Sequence, residues 1–387
     1  MFAEWEKQKG IVLIYPHVFC DFEANLEEVQ DCYDNIIAEI LKVESVYLIM
    51  HPKDNEAKER VQELLRNIGE EAKNCRIFEF ESNDVWARDS IALSVKEQTT
   101  SQKVTNLANA MFGANSVKSE SLGFLDKVIR QDSENETIHH QFANFIFNAW
   151  GLKYSANFDN QLNVKLHQVG FFDMLKTYGM VLEGGSIDYN GNGILLTTRK
   201  CLLEPNRNPN LTKEQIEESL KSYLHVSKIL WLEHGELLGD DTDSHIDTLA
   251  RFINHDTIVY IQCDDLQNPN FTELNAMKHE LENLAKVNNF KLIALPFCEY
   301  PNDILIESDT DLHRQIKQNK PYLPASYANF LFLNDNTLLL PIYNKPTDFS
   351  AIEIMKKALP EYNIIPINCE ALIQQYGSLH CITMQIH

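Results

Sequence analysis

Residues 11–15, Ile-Val-Leu-Ile-Tyr, form an unbroken apolar run that predicts a short buried strand, and the chain around this run decides the fold. From Leu26 onward, apolar residues recur at helical spacing, and the next apolar run, 46–50 (VYLIM), predicts a second strand. A second amphipathic helix at about 61–68 then leads to a strand at 76–80 (RIFEF). Strands and helices therefore alternate, which is typical of an α/β protein.

The same alternation returns in the second half of the chain. Thr212 and Gln215 have the spacing of a capping box and predict a helix that runs to about 224. Further strands are predicted at 228–232, 257–262, 291–295, 328–333, 337–343 and 363–367, and further helices at 272–287 and 349–358. Residues 334–336 (Asn-Asp-Asn) predict a hairpin turn. No exact repeat is visible, but two strands and a helix recur, which indicates an α/β array of similar units.

One stretch, residues 96–140, breaks this pattern. It is rich in Ser, Asn, Gln, Thr and Lys and has no sustained period. A structureless loop of this length is unusual inside a compact domain. We therefore predict a polar surface insertion here, either a flap or a small helical insertion around 121–130.

Composition and charge limit the class of protein. With 387 residues, 44% of them hydrophobic and 23% charged, the chain has the make-up of an ordinary globular protein with a sizeable core. The formal net charge is −22, from 56 acidic against 34 basic residues. Such a charge repels phosphate backbones and attracts small cations, so nucleic acid is disfavoured as a partner. Solubility alone would also explain it.

The cysteines and the N-terminus bear on the compartment. The eight cysteines are scattered, with no CxxC pair and no compact framework, which favours reduced thiols in a cytoplasm over disulfides or a zinc ribbon. Residues 1–10 lack the apolar core of a signal peptide, and no apolar run reaches the length of a membrane span. We expect neither export nor membrane insertion.

Four islands combine acidic, aromatic, histidine or cysteine residues with glycines or turns, a setting in which sites are commonly built. They are 83–89 (NDVWARD), 182–185 (LEGG), 239–247 (GDDTDSHID) and 376–383 (YGSLHCIT). In the third island, His245 and Asp247 are two residues apart, so an extended segment would turn both side chains to one face. Such a pair can bind a cation and move a proton, but His-x-Asp alone is also common at a solvated strand end.

The first island offers an aromatic face beside carboxylates. Trp86 lies between Asp84 and Asp89, a combination that can hold a delocalised cation. Strict strand alternation would put Trp86 and Asp89 on opposite faces, so both reach one pocket only if the backbone turns there. An ion pair of Arg88 with a neighbouring acid is the purely structural alternative.

The other two islands are weak signals by themselves. Glu183 ends an apolar stretch, and the two glycines after it allow either a sharp turn or close approach of the backbone to a ligand. Cys381 follows His380 in an apolar setting, where a lone cysteine is usually buried and inert. A serine hydrolase is less attractive still, because no GxSxG motif occurs.

Together and in this order, the islands resemble the agmatine deiminase family of the guanidine-modifying, pentein-like superfamily. The resemblance runs nearly end to end and is also carried by 3–6 (AEWE), 15–17 (YPH), 148–154 (NAWGLKY), 207–209 (RNP), 249–252 (LARF), 326–330 (SYANF) and 380–385 (HCITMQ). It implies a single domain over residues 1–387, built from five modules around a pseudo-fivefold axis as an α/β propeller.

The resemblance also implies catalytic roles for five residues. Cys381 matches the nucleophile, His245 the general acid and base, and Glu183 the acid that orients and charges this histidine. Asp89 and Asp247 match the carboxylates that grip the guanidinium nitrogens. The chemistry suits these residue types, because a guanidinium is planar, protonated and a poor electrophile that must be fixed before a thiolate can attack it.

Three further residues would contact the rest of the substrate. Trp86 would flank its chain, and Asp241 and Asp84 would meet its distal ammonium. In the implied reaction a thiolate displaces ammonia, and water then hydrolyses the amidino-cysteine to a ureido product. No metal or organic cofactor is required.

The sequence departs from the family pattern close to these residues. Ser90-Ile91 replaces the usual Gly-Pro, Ser244 replaces the glycine before the histidine, and residues 376–378 (YGS) replace a glycine run. Residues 155–158 (SANF) do not match the aromatic and charged residues often found there. Substrate choice is therefore less constrained by the resemblance than reaction type.

The leading prediction is a hydrolase that acts on agmatine, a small cationic partner, in putrescine and polyamine metabolism. Deimination of free or peptidyl arginine is a nearby alternative, and a non-catalytic guanidine-binding protein is an alternative of another class. An acidic pocket with no basic residue for a carboxylate would favour agmatine, and Arg88 is the residue that blurs this test. The sequence leaves a homo-oligomer open.

Overall fold

A computed structural model describes residues 1–96, 140–301 and 322–387. The insertion predicted at 96–140, with the helix considered at 121–130, lies almost wholly outside the described residues. None of the helices in the described ranges is long and apolar enough to cross a membrane.

Short strands and helices alternate along the described chain. The strands are β1 (Gly10–Ile14), β2 (Ser45–Met50), β3 (Cys75–Glu79), β4 (Leu93–Lys96), β5 (His140–Ile146), β6 (Leu175–Val181), β7 (Ile187–Tyr189), β8 (Ile194–Thr198), β9 (Lys228–Leu232), β10 (Ala250–Asn254), β11 (Thr257–Gln262), β12 (Lys291–Pro296), β13 (Leu331–Leu333), β14 (Thr337–Ile342), β15 (Asn363–Asn368) and β16 (Thr383–Ile386). The α-helices are α1 (Leu26–Leu41), α2 (Asn55–Ile68), α3 (Ala87–Ser90), α4 (Ala149–Leu152), α5 (Leu162–Gln168), α6 (Arg199–Leu202), α7 (Lys213–Leu224), α8 (Phe271–Asn288), α9 (Thr347–Ala358) and α10 (Glu370–Ile373).

The described strands form five small sheets, which makes the fold mixed α/β. Four sheets have three strands each, in the orders β4-β5-β6, β7-β8-β9, β10-β11-β12 and β13-β14-β15. In each of them the first pair is antiparallel and the second pair is parallel. The fifth sheet, β16-β1-β2-β3, begins with the same pattern, because β16 is antiparallel to β1 and β1 is parallel to β2. The last strand of the chain thus completes the sheet that the first strand begins.

Local sequence explains the longer elements. α1 buries one face, including Val29, Tyr33 and Ile36, as its apolar spacing predicts. At the start of α7 the predicted capping box forms: Thr212 Oγ1 accepts from the Gln215 amide at 3.3 Å, and Gln215 Oε1 accepts from the Thr212 amide at 2.9 Å. Both bonds satisfy amides that a helix start leaves without a partner.

The predicted strand 328–333 is too long by three residues at its start. β13 begins only at Leu331, because the preceding segment turns: the Ala328 amide donates to Ser326 Oγ and the Asn329 amide to the Ser326 carbonyl. This turn carries Asn329 to the C-terminal segment, where it contacts Cys381. The hairpin predicted after β13 is confirmed.

Candidate active site

The five residues predicted to be catalytic meet at the ends of strands from different sheets. Glu183 lies two residues after β6, Asp89 lies in α3, and His245 and Asp247 come shortly before β10. Cys381 lies two residues before β16. Each of the five is at most 6% exposed. Residues that are almost 300 positions apart in sequence therefore share one buried cluster.

Gly185, the second glycine of the LEGG island, lies at the centre of this cluster. A Cβ atom added to it would be 2.7 Å from His245 Nδ1, 2.9 Å from Asp89 Oδ1 and 3.0 Å from Asp247 Oδ2. Its amide donates to Asp89 Oδ1 at 3.0 Å. The glycine is needed here because three side chains that are predicted to act in the site approach the backbone closely.

His245 lies between two carboxylates. Its Nδ1 is 3.7 Å from Asp89 Oδ1 and its Nε2 is 4.0 Å from Glu183 Oε2. Burial lowers the pKa of His245, but Asp89, the thiol of Cys201 and Glu183 outweigh it and raise the pKa well above its usual value. The imidazole therefore favours its charged form, as a general acid requires.

Arg207 holds Glu183 in place. Its Nε donates to both Glu183 oxygens, at 3.0 and 2.9 Å, and its Nη1 donates to Asp243 Oδ2 at 2.7 Å. The side chains of both Arg207 and Glu183 are fully buried. Removing Arg207 would leave the buried carboxylate of Glu183 without this cationic donor, which is costly.

Asp89 and Asp247 have different hydrogen-bond environments. Asp89 accepts from the Gly185 amide and, through Oδ2, from Trp150 Nε1 at 2.9 Å. Burial, with Asp247 and Glu183 nearby, raises the pKa of Asp89 to about 6. Asp247 Oδ2 accepts from His380 Nδ1 at 2.8 Å; although burial acts in the opposite direction, this bond and the charges around it keep the pKa of Asp247 below its ordinary value. Its Oδ1 has no hydrogen-bond partner among the described residues.

The thiol of Cys381 lies beside Asp247 and Asn329. Sγ is 3.6 Å from Asp247 Oδ2, and Asn329 Nδ2 donates to Sγ at 3.2 Å. Burial, Asp247 and Asp89 raise the pKa of Cys381 well above that of a free thiol. The isolated site therefore favours a neutral thiol, and a cation that enters it favours the thiolate.

A pocket leads from the surface to this cluster. The residues predicted to bind substrate, Trp86, Asp84 and Asp241, all line it, together with Asp89 and Cys381. The rest of its lining is aromatic or polar, apart from one glycine: Asp21, Trp150, Tyr154, Thr242, Gln375, Tyr376 and Gly377. Lysine and arginine do not occur in this lining among the described residues, so the pocket is suited to a cation.

The acidic residues of the pocket are themselves held by aromatic donors. Trp86 Nε1 donates to Asp84 Oδ2 at 2.9 Å, and the Tyr154 hydroxyl donates to Asp241 Oδ2 at 3.0 Å. Burial and the nearby carboxylates of Asp21 and Asp159 raise the pKa of Asp84 well above its usual value. A cation that binds beside Asp84 would therefore favour loss of its proton.

Arg88 points away from this pocket. It is 4% exposed, and its guanidinium donates to Glu4 Oε1, to Gln385 Oε1 and to the His380 carbonyl. Arg88 does form an ion pair, but the prediction of a neighbouring acid as its partner is wrong, because the partner is Glu4, which is distant in sequence. Arg88 is therefore not available to a substrate carboxylate.

Three buried residues have the donor types of a metal site. One ligand atom each of Glu183, Cys201 and His245 lies within 4.8 Å of the other two, and carboxylate, thiolate and imidazole are the usual zinc donors. However, both oxygens of Glu183 already accept from Arg207, so a metal would have to displace a buried ion pair. This group carries no argument for a resident metal.

Sequence reasoning gave no site role to several residues that contact the cluster. Arg207, Trp150, Asn329 and His380 all lie in motifs that carry the resemblance, but each motif alone gave no reason to choose them. Asp21 had no signal at all. Their contacts join segments that are far apart in sequence, which no local pattern reports.

Known protein families and solved structures include several that are similar to this chain. The family described as Porphyromonas-type peptidyl-arginine deiminase matches residues 1–386. An agmatine deiminase from Pseudomonas syringae pv. syringae is 30% identical, over 99% of this chain and 94% of its own length. Among solved structures, a cysteine-to-serine variant of a C. jejuni agmatine deiminase with substrate bound is 32% identical, with a TM-score of 0.78, over 100% of this chain and 95% of that one.

The chain belongs to the Porphyromonas-type peptidyl-arginine deiminase family. The resemblance to agmatine deiminases found in the sequence is confirmed.

Proposed function

We propose that this chain hydrolyses agmatine to N-carbamoylputrescine and ammonia through a covalent amidino-cysteine at Cys381. One observation carries the proposal: the thiol and Asp89 lie in a pocket lined by three further aspartates and, among the described residues, by no lysine or arginine. The agmatine deiminases among the relatives support it, as does the substrate-bound structure of a variant in which a cysteine is replaced by serine.

Binding would use the carboxylates in pairs. A guanidinium donates in a planar, forked pattern that carboxylates accept well. Asp89 would accept at one side and Asp247 Oδ1 at the other, since Oδ1 has no partner among the described residues. The ring of Trp86 would flank the methylene chain, and Asp84 and Asp241 would accept from the distal ammonium.

The first chemical step is attack by Cys381. The positive charge of the guanidinium offsets the carboxylates that keep the thiol neutral, so binding itself favours the thiolate, and the thiol proton passes to solvent through the pocket that Cys381 lines. Sγ then forms a bond to the central guanidinium carbon and gives a tetrahedral intermediate. His245, charged between Asp89 and Glu183, donates a proton to the leaving nitrogen, and ammonia departs as the amidino-cysteine forms.

The second step is hydrolysis of that intermediate. His245, now neutral, accepts a proton from a water molecule that attacks the amidino carbon. The new tetrahedral intermediate collapses, the carbon–sulfur bond breaks, and the ureido product leaves as the thiol regains a proton. Arg207 would keep Glu183 ionised and oriented toward His245 through both steps.

Agmatine is favoured over arginine because the basic side chains near the pocket, Arg88 and Lys153, are already paired with acids of the protein. An arginine substrate would bring a carboxylate, which needs a basic partner in the pocket. Arg88 is buried against Glu4, and Lys153 pairs with Asp243 at 2.8 Å. An ammonium, by contrast, would meet Asp21, Asp84 and Asp241.

The test compares ammonia and ureido product from agmatine, free arginine and a blocked arginyl peptide. We expect turnover of agmatine at a kcat/KM at least about a hundredfold above either other substrate. Cys381→Ser should lower kcat by about a thousandfold or more, because it removes the nucleophile. Cys75→Ser, which changes a cysteine in β3 outside the site, is the matched control and should keep full activity.

Acid quench followed by mass measurement should reveal the amidino adduct on the unmodified enzyme. No turnover of agmatine with turnover of arginine would overturn the substrate, and retained activity in Cys381→Ser would overturn the mechanism. Binding of agmatine without hydrolysis by the wild-type chain would favour the non-catalytic alternative.

We also propose that the five sheets are five modules around a pseudo-fivefold axis within a single domain, with residues 96–140 as an insertion. The repeated antiparallel and then parallel pairing, and the pairing of β16 with β1, support this arrangement. A cytoplasmic location is proposed as well, supported by eight cysteines that are all free.

A further inference from the structure

His380, the residue before the proposed nucleophile, bridges two carboxylates. Its Nδ1 lies 2.8 Å from Asp247 Oδ2, and its Nε2 lies 2.7 Å from Glu4 Oε1. The side chain is 1% exposed, so water cannot replace either contact. The hydrogen-bonded series Glu4–His380–Asp247 therefore connects the N-terminal segment to the carboxylate that is proposed to bind the guanidinium.

Each of these two short contacts requires a proton. An ionised carboxylate only accepts hydrogen bonds, and a neutral imidazole donates from one nitrogen and accepts at the other. A neutral His380 would therefore turn a bare nitrogen lone pair toward a carboxylate oxygen at 2.7 or 2.8 Å. Burial, Arg251 and Arg88 lower the pKa of His380, but the two contacts are satisfied only when both nitrogens carry a proton.

Glu4, at the start of this hydrogen-bonded series, is itself held in place by two arginines. Arg88 Nη1 lies 3.2 Å from Glu4 Oε1, and Arg251 pairs with Glu4 Oε2. Both arginines are buried, and Arg251 also pairs with Asp188 at 3.3 Å. Although burial acts in the opposite direction, Arg251, His380 and Arg88 hold the pKa of Glu4 well below its usual value, so the anchor is charged.

At Asp247, the bond from His380 decides which carboxylate oxygen is left for the substrate. The bond from His380 occupies Asp247 Oδ2, which also faces the thiol at 3.6 Å. Oδ1 remains without a partner among the described residues. The imidazole thus fixes the rotation of the carboxylate and assigns one oxygen to the protein and one to the ligand.

We propose that His380 is a positioning residue whose doubly protonated ring, anchored on Glu4, holds Asp247 so that Oδ1 accepts from the guanidinium. This inference rests on the proposed function, because Asp247 acts there as a guanidinium ligand. It extends the active centre to the N-terminal segment through a side chain that touches neither the substrate nor the reacting atoms.

The first test is spectroscopic and needs no substrate. In protein labelled with ¹⁵N-histidine, the ring resonances that disappear in His380→Gln identify His380. We expect both ring nitrogens of this histidine to be protonated at neutral pH. In Glu4→Gln one carboxylate is lost, and the same histidine should become singly protonated. A singly protonated His380 in the wild-type protein would overturn the proposal whether or not Glu4→Gln folds, and through-bond correlation of the ring to the backbone of the wild-type protein identifies His380 if His380→Gln does not fold.

The second test is kinetic. In His380→Gln one amide can still donate to Asp247, but the anchored, charged ring is gone, so Asp247 can rotate. We expect KM for agmatine to rise about tenfold or more while kcat changes less, because a displaced ligand weakens binding of the guanidinium. His387→Gln removes another buried histidine, which contacts the Lys7 carbonyl, and should leave both constants unchanged.

The kinetic results separate the two proposals. A merely structural role would lower the amount of active enzyme, measured by titration of Cys381 with iodoacetamide, and leave KM unchanged; that result would overturn the inference. No hydrolysis of agmatine by the wild-type protein would instead refute the proposed function, and the protonation state of His380 would still be measurable.

Discussion

At the residue scale, two aspartates of the buried cluster, Asp89 and Asp247, have pKa values that are shifted in opposite directions. Burial without a cationic hydrogen-bond donor raises the pKa of Asp89 to about 6, whereas the bond from His380 keeps that of Asp247 low. Both carboxylates must be ionised to bind a guanidinium. Asp89 has the higher pKa of the two and is therefore protonated first as the pH falls. Its pKa sets the lowest pH at which the substrate binds well.

The first prediction concerns the pH dependence that follows. Because the raised pKa keeps Asp89 protonated at low pH, kcat/KM for agmatine should fall as the pH drops through about 6. Asp89→Asn should lower kcat/KM by about a hundredfold or more, since an amide donates toward the guanidinium. It should also abolish the fall of kcat/KM near pH 6, because asparagine does not titrate. The measurement is a pH profile of kcat/KM, with intrinsic fluorescence as the check that the protein stays folded. A profile that is flat from neutral pH down to pH 5 would contradict the assignment.

At the element scale, one helical turn and one glycine place the aromatic wall of the pocket. Strand alternation would have separated Trp86 and Asp89, but α3 turns the backbone directly after Trp86, and both residues line the pocket. The ring of Trp86 then packs on Gly377. A Cβ atom at Gly377 would lie 2.1 Å from Trp86 Cζ3 and 2.4 Å from Cη2.

The second prediction uses this contact. Gly377→Ala should displace Trp86 and raise KM for agmatine about tenfold, because a shift of about 1 Å in a positioning group is costly. It should also lower the free energy of unfolding by about 1–3 kcal/mol, as overpacking does. Gly179→Ala is the matched control, since an added Cβ there meets nothing within 4 Å. Thermal denaturation and steady-state kinetics measure both effects, and equal KM values for the two variants would refute the contact.

The local backbone conformation explains why two residues of this chain stand where the family pattern has glycine. Ser244 and Tyr376, which stand where the resemblance predicts glycines, have φ angles of 68° and 67°. This left-handed region costs a residue with a side chain about 1 kcal/mol or more, and glycine avoids that cost. The sequence alone showed the replacement, but only the backbone shows that both positions still adopt the conformation that glycine favours.

At the scale of the whole molecule, the site depends on pairing between the two ends of the chain. β16 pairs with β1, so Glu4 just before β1 and Cys381 just before β16 reach the same centre. Strands with long apolar runs, such as β1 and β11, could be predicted from sequence. Strands of three or four residues, such as β7 and β16, could not, because they are too short to show a period. The residues predicted to be catalytic were selected through their motifs, whereas Arg207 and Asn329 became visible only through long-range contacts.

The third prediction decides between two explanations of the net charge of −22, solubility and attraction of the substrate. The pocket lining includes Asp21, Asp84 and Asp241, so we expect the field to be concentrated at its mouth. Raising the salt from about 0.01 M to about 1 M shortens the Debye length from about 30 Å to about 3 Å. Under this change kcat/KM for agmatine should fall by about tenfold. In Asp21→Asn the dependence of kcat/KM on salt concentration should be weaker. Alkylation of Cys381 by neutral iodoacetamide should keep its rate, because an uncharged reagent does not respond to the field. If agmatine and iodoacetamide show the same weak dependence on salt, the charge serves solubility alone.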